Sequence, residues 1–322
     1  MPINRRALFL SLPALLPFKG AWAQADYPVR PIRIVAPFAA GAATDVLLRN
    51  LSESVSKSLE QPIVIENRPG AQGAIAARIV AKAPNDGYTL MMAGNSSHAA
   101  NVHTMKDAGY DPVKDFTPIV QLTVNPQILV INADLPVRNL QEFIAYAKER
   151  PGKLSFGVGN AGSRVAASLL MAQTGIDAVG VNYPGTPQAT IDLLAGRLEF
   201  IMNDPVVAAP HVKSGKLRVL GVTSRQRLAS LPDVAPLMEL GLRDFDYASW
   251  SAVVGPAGLA PQVVDKVHRA FTAAMAEPGT QKFAADAGII PVVSSPEEFR
   301  KFLLEQIRLW GIWAKQAGLL PT

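Results

Sequence analysis

Between the apolar run "PIRIV" and the helically spaced "VLLRNLSESVSKSL" stands "PFAAGAATD", Pro37 to Asp45. Residues this small let a ligand approach main-chain N–H groups at a helix N-terminus, where unpaired donors and the helix dipole favour an anion. The chemistry on offer is anion binding. The stretch has no Lys for a P-loop, no Ser in a nucleophile elbow and no metal ligand beyond Asp45. The competing reading is an ordinary tight turn whose Thr44 or Asp45 caps the helix that follows.

Turns of the same character follow other strand-like runs: "GNSS" after "YTLMMA", "GNAGSR" after "LSFGV", "YPGT" after "VGVN" and "ND" after "LEFIM". Ligand sites of α/β sheets lie at the carboxyl ends of strands. The candidate ligand-binding residues are therefore Phe38, Ala39, Ala40, Gly41, Ala42, Ala43, Thr44 and Asp45 in the first turn, and Ser96 and Ser97 in the second. Gly159, Asn160, Ala161, Gly162, Ser163 and Arg164 form the third set, followed by Tyr183, Thr186 and Asp204. The set is rich in backbone donors and poor in general bases, which favours holding a ligand over transforming one.

No catalytic residue, metal ligand or cofactor is assigned. "GVGNAG" has G-x-G-x-x-G spacing, but the strand after it ends in Asn182 and Tyr183 instead of the acid a dinucleotide ribose requires. His98 and His103 stand in a polar stretch read as a loop, with no HExxH and no nearby carboxylate, and no G-x-S-x-G elbow surrounds any serine. With no cysteine there is no disulfide, thiol nucleophile or thiolate metal site. Phe156 and Trp250 read as core or lobe contacts.

The elements that must carry these turns alternate regularly. "IRIVAPF", "PIVIEN", "YTLMMAG", "QILVIN", "LSFGVG", "VGVNYPG" and "LEFIMND" read as strands, most followed by a segment with apolar residues three or four apart, several of these ending at Gly175, Gly196 or Gly215. The expected class is α/β, with parallel sheets carrying helices on both faces. No internal repeat or low-complexity segment interrupts the pattern.

The N-terminal "MPINRRALFLSLPALLPFKGAWAQA" combines Arg5 and Arg6, an apolar stretch from Ala7 to Phe18 and small residues in A-x-A spacing. It reads as an export signal, residues 1–25, cleaved after Ala23 or Ala25, with the destination the periplasm. Loss of Arg5, Arg6 and Lys19 takes 31 basic residues to 28 against 26 acidic ones, a net charge of +2. The scattered cations argue against nucleic acid as a partner.

Several segments, from "YPVRPIRIVAPFAAGAATD" through "QPIVIENRPGAQGAIAARIVAKAPNDGYTL", "KERPGKLSFGVGNAGS" and "SGKLRVLGVTSRQRLASLPDVAPLMELG" to "VVGPAGLAPQVV", resemble in order the Bug-type solute receptors of tripartite tricarboxylate transporters. The resemblance runs from about Tyr27 to the C-terminus. It implies a two-lobed periplasmic binding protein fold, type II-like, each lobe a mixed or mostly parallel sheet flanked by helices. Lobe one would comprise residues 26–124 and 244–322 and lobe two residues 125–243, with crossings near Asn125 and Asp244. The implied function is to close on a small carboxylate, expected to be a dicarboxylate, and deliver it as a monomer to integral membrane permease subunits. The turns implied to meet the carboxylates match Phe38 to Asp45 and Gly159 to Ser163.

This chain departs from the family pattern at three points. Ala42 follows Gly41 where a second glycine is common, "GS" is followed by Arg164, Val165 and Ala166 where a histidine often stands two or three positions on, and Pro184 replaces the lysine of "YKG". An exported enzyme acting on a small carboxylate, or a ligand sensor for a signalling kinase, are the alternative functions.

Overall fold

A computed structural model describes residues 27–243, 245–319 and 321. The proposed signal, residues 1–25, and Asp244 at the expected second crossing lie outside the described residues. In chain order the first run is β1 (Ile32–Ala36), α1 (Ala43–Leu59), β2 (Ile63–Asn67), α2 (Ala74–Ala81), β3 (Thr89–Gly94), α3 (Asn101–Thr104) and β4 (Phe116–Pro126). The second is β5 (Ile128–Asn132), α4 (Leu140–Lys148), β6 (Leu154–Val158), α5 (Ala161–Thr174), β7 (Ala178–Asn182), α6 (Thr186–Leu194), β8 (Phe200–Asn203), α7 (Pro205–Lys213) and β9 (Leu217–Val222). The chain then adds β10 (Ala248–Pro256), α8 (Pro261–Ala276), α9 (Pro278–Ala287), β11 (Ile290–Pro291) and α10 (Pro296–Gln316).

The strands form two sheets, one ordered β11-β4-β10-β3-β1-β2 and the other β7-β6-β8-β5-β9. Each is the centre of a lobe, and each is mixed, which corrects the wholly parallel pairing that the alternation of strands and helices suggests. β1 runs parallel to β2 and β3, and β6 parallel to β7 and β8, through the helical crossovers that parallel pairing requires. β10 lies antiparallel between β3 and β4 because it returns from the second lobe, and β5 lies antiparallel to β8 and β9.

β4 leads into β5 with Gln127 alone between them. Gln127 N–H donates to Thr223 Oγ1 and the Thr223 amide donates to Gln127 O, both at 2.8 Å. The outgoing and returning strands are thus tied side by side between the lobes.

α10 braces this junction from behind. Ser295 and Glu298 form a reciprocal capping box at its start, which satisfies donors that the first turn leaves free. Its Trp310 is fully buried and meets Tyr247 edge-on at 6.2 Å, while Phe299 meets Trp250 at 5.8 Å. The helix packs on β4 and the 96–100 segment of lobe one and on α5 of lobe two. Truncating a buried aromatic of this size costs about 3–5 kcal/mol, so this packing anchors both halves.

Candidate functional site

The turn that leaves β1 is held from beneath by Asp45. Its buried carboxylate accepts hydrogen bonds from Gly41 N–H at 2.9 Å, Arg49 Nε at 2.8 Å and Asn67 Nδ2 at 2.9 Å. Burial alone would raise the Asp45 pKa, but these partners outweigh it and hold the carboxyl below its ordinary value. The residue at the head of α1 is Ala42, in extended backbone and with no side-chain cap. The capping expected of Thr44 or Asp45 is therefore corrected. Both lie inside the first turn, and Asp45 reaches back to the turn before the helix. The amides at the head of α1 are left without a side-chain acceptor where Ala43 and Thr44 line a cavity, and the Thr44 hydroxyl is buried there without a partner.

The facing turn, at α5, is built differently. Asn160 caps the helix by accepting from Ser163 N–H at 2.8 Å, and Ser163 Oγ accepts from the amides of Gly159 and Asn160 at 3.1 and 3.2 Å. Ala161 N–H donates instead across the lobes, to Ser96 Oγ at 3.1 Å. Gly159 is required by packing: a Cβ there would overlap the backbone of Gly185 and Thr186 at the head of α6. Gly157 likewise abuts Ala189 and Ile201, so the G-x-G spacing serves close contact between strand and helix.

Two cavities share Phe38 and Gly159 as walls. The inner one, about 30 Å³, takes polar side chains from both lobes: Thr44, Asn95, Ser96, Asn125, Asn160, Thr186, Asp204, Ser249 and Ser251. The outer one, about 660 Å³, is walled by Phe38, Met105, Tyr183, Pro184 and Leu319, with Gln72, Thr104, Asn182 and Arg164 as its polar side chains. Arg164 is half-buried and donates from Nη2 to Asn182 Oδ1 at 2.6 Å. It is the one cation among the described residues that line either cavity.

Of the residues expected from sequence, Phe38, Ala42, Ala43, Thr44, Ser96, Gly159, Asn160, Ala161, Arg164, Tyr183, Thr186 and Asp204 line one cavity or both. Asp45, Gly162 and Ser163 sit behind the walls, while Ala40 and Gly41 are exposed on the first turn beside Ala39. Ser97 turns inward, donating to Gly94 O at 3.3 Å and lying 3.0 Å from His98 Nδ1. Tyr183 commits its hydroxyl to Asp192 at 2.8 Å.

The loop reading of His98 and His103 is overturned. Residues 96–100 form a π-helical turn that runs into α3. His98 is fully buried edge-on against Phe116 at 4.5 Å, and burial pushes its pKa down to about 3. His103 bonds Ile307 O of α10 at 2.7 Å. Polar neighbours in sequence concealed aromatic neighbours in space.

Several wall residues were not anticipated. Asn95 and Asn182 directly precede predicted positions and belong to the same strand-end signal. Ser249 and Ser251 alternate with Trp250 on β10, a period-two pattern that marks a polar strand face. Met105 and Leu319 carry no local signal at all.

The profile of the tripartite tricarboxylate transporter family receptor matches residues 47–319. The chain belongs to this receptor family. Protein BugT of Bordetella pertussis is 32% identical over 295 residues, which cover 91% of this chain and 90% of that protein. Among solved structures, R. palustris Rpa4515 with adipate superposes with a TM-score of 0.90 at 31% identity, covering 92% of this chain and all of that one. MatC from Rhodopseudomonas palustris with bound malate superposes with a TM-score of 0.85 at 30% identity, covering 89% and 99%. The two-lobed α/β architecture is that of periplasmic solute-binding proteins, and this tripartite family comprises solute receptors, not enzymes.

Proposed function

We propose that this protein is a periplasmic receptor that closes its lobes on a small dicarboxylate and delivers it to the permease subunits of a tripartite tricarboxylate transporter. The observation that carries the reading is the uncapped head of α1, from lobe one, at an inner cavity completed by α5 and α6 of lobe two. A helix N-terminus attracts an anion by about 0.3–1 kcal/mol when exposed and more when partly buried. One carboxylate would occupy the inner cavity. The body would lie in the outer cavity, where Arg164 can fork two hydrogen bonds to the second carboxylate.

The outer cavity falls in the size range of sites for ligands larger than a four-carbon acid, and much of its lining is apolar. An aliphatic chain of adipate length or an aromatic ring suits it better than a compact hydroxy acid. Adipate and malate in two solved relatives support the carboxylate class. Export rests on the basic, apolar and A-x-A segments of residues 1–25.

A thermal-shift panel of mono-, di- and tricarboxylates, including aromatic acids, tests the reading. The expected result is selective stabilisation by dicarboxylates with apolar bodies, a smaller radius of gyration on binding, and ligand recovered unchanged. Turnover of the ligand would favour the enzyme alternative. Uptake into permease-bearing vesicles that requires the added receptor tests the transport step.

A further inference from the structure

The inner cavity contains a group that a carboxylate site does not need. Asp204 follows β8 and heads α7, yet its side chain accepts no cap hydrogen bond from that helix. It is 5% exposed, and its carboxyl accepts from Thr186 Oγ1 at 3.3 Å. Among the described residues lining this cavity there is no Lys, Arg or His.

The groups around Asp204 on every packed element are neutral or point elsewhere. β4 and β10 bring Asn125, Ser249 and Ser251, the head of α5 brings Asn160, and the segment after β3 brings Asn95 and Ser96. Tyr247 is fully buried, and burial followed by the charge of Asp204 pushes its hydroxyl well above the ordinary value, so it stays protonated. Asp45 on α1 is paired with Arg49, and Arg164 lines the outer cavity. Burial pushes the Asp204 carboxyl up to about 6, with Thr186 and Gln127 partly offsetting the rise.

An anion drawn in by the head of α1 therefore meets a second carboxyl in the same small chamber. Two like charges that close cannot both stay ionised in a water-poor site; they share a proton. We infer that the ligand's inner carboxylate enters together with one proton from solvent, held between it and Asp204, so that Asp204 sets the protonation state in which a ligand is accepted. The proton returns to solvent on release. This rests on the carboxylate-receptor reading.

The competent free receptor is then the one protonated at Asp204. Above the pKa of that group its fraction falls about tenfold per pH unit, and the apparent affinity falls with it. The test is calorimetric titration with adipate, or with the tightest binder of the carboxylate panel, from pH 5.5 to 8.5 at fixed salt, each pH in two buffers of different ionisation enthalpy. The expected result above pH 7 is an affinity loss approaching tenfold per unit and uptake of close to one proton per ligand. Asp204→Asn, which keeps the size and always offers a donor, should bind with flat pH dependence, take up no proton and exceed wild type at pH 8.

Binding by wild type without proton uptake, or an unchanged pH slope in Asp204→Asn, overturns the inference while leaving the receptor reading intact. If Asp204→Asn does not fold, the wild-type proton count decides alone. If no carboxylate of the panel binds, the receptor reading fails and this inference falls with it.

Discussion

Ser96 Oγ of lobe one accepts a hydrogen bond from the Ala161 amide of lobe two at 3.1 Å. The bond uses a donor at the head of α5, so it fastens the lobes at the very turn expected to face ligand. Ser96→Ala removes an acceptor without opening a large void. The net worth of one such bond is about 0.5–1.5 kcal/mol, so binding should weaken roughly 2- to 10-fold. Calorimetry should show the same factor for mono- and dicarboxylates, because the bond acts on closure and not on ligand charge. Unchanged affinity with an unchanged radius of gyration would count against it.

Arg164 should discriminate where Ser96 does not. A charge-assisted hydrogen bond contributes about 1.5–3 kcal/mol, so Arg164→Ala should weaken a dicarboxylate by about 10- to 150-fold. A matched monocarboxylate should change far less. Equal loss for both would place the guanidinium's role in packing against Asn182 instead of in the ligand's second charge.

Gly159 predicts a stability effect with an internal control. Gly159→Ala sets a methyl group against the Thr186 and Gly185 backbone, which cannot give way as a side chain would. Overpacking of this kind costs about 1–3 kcal/mol, several degrees in melting temperature for a chain this size. Gly279→Ala, in the first turn of α9 with nothing within 4 Å of the new methyl, should leave the melting temperature unchanged or raise it slightly. Equal shifts in the two variants would refute the steric account.

Two buried groups should pull stability in opposite directions with pH. His98 is depressed to about 3, so its contribution is complete above about 6.5 and is lost as pH falls, because the unfolded chain takes a proton the folded one refuses. Asp204 is raised to about 6, so its contribution is present below the ordinary 3.8 and is lost as pH rises through about 6. Between roughly pH 4 and 6 the two slopes oppose, each at most about 1.4 kcal/mol per unit. His98→Phe keeps a ring against Phe116 and removes an Nε2 that has no partner. Denaturant unfolding at several pH values should show its stability gaining on wild type as pH falls from 6.5 to 4. A constant difference would mean His98 titrates normally.

The small-residue turn before α1 was legible because "PFAAGAATD" offers backbone and little else, and the α/β class because helical and strand periods alternate plainly. β10 was not legible, since "ASWSAVVGP" acquires its place only by returning from the other lobe to lie between β3 and β4. Thr44 and Asp45 look like caps in sequence. Only the geometry shows Asp45 bound to Gly41, Arg49 and Asn67 instead. His98 illustrates the same limit, because burial by Phe116 and Tyr110 is information held outside its own segment. Asp204 was selected as a strand-end residue, but its lack of a cationic partner could not be read from a string.

The outer cavity takes its walls from widely separated parts of a chain that contains no cysteine. A thiol introduced at Met105 on lobe one or Pro184 on lobe two would be unique, and a fluorophore attached to it would stand at the mouth of the cleft. Labelled singly, such a protein becomes an optical reporter of its own solute. Labelled at both positions, it measures by energy transfer how far the lobes travel.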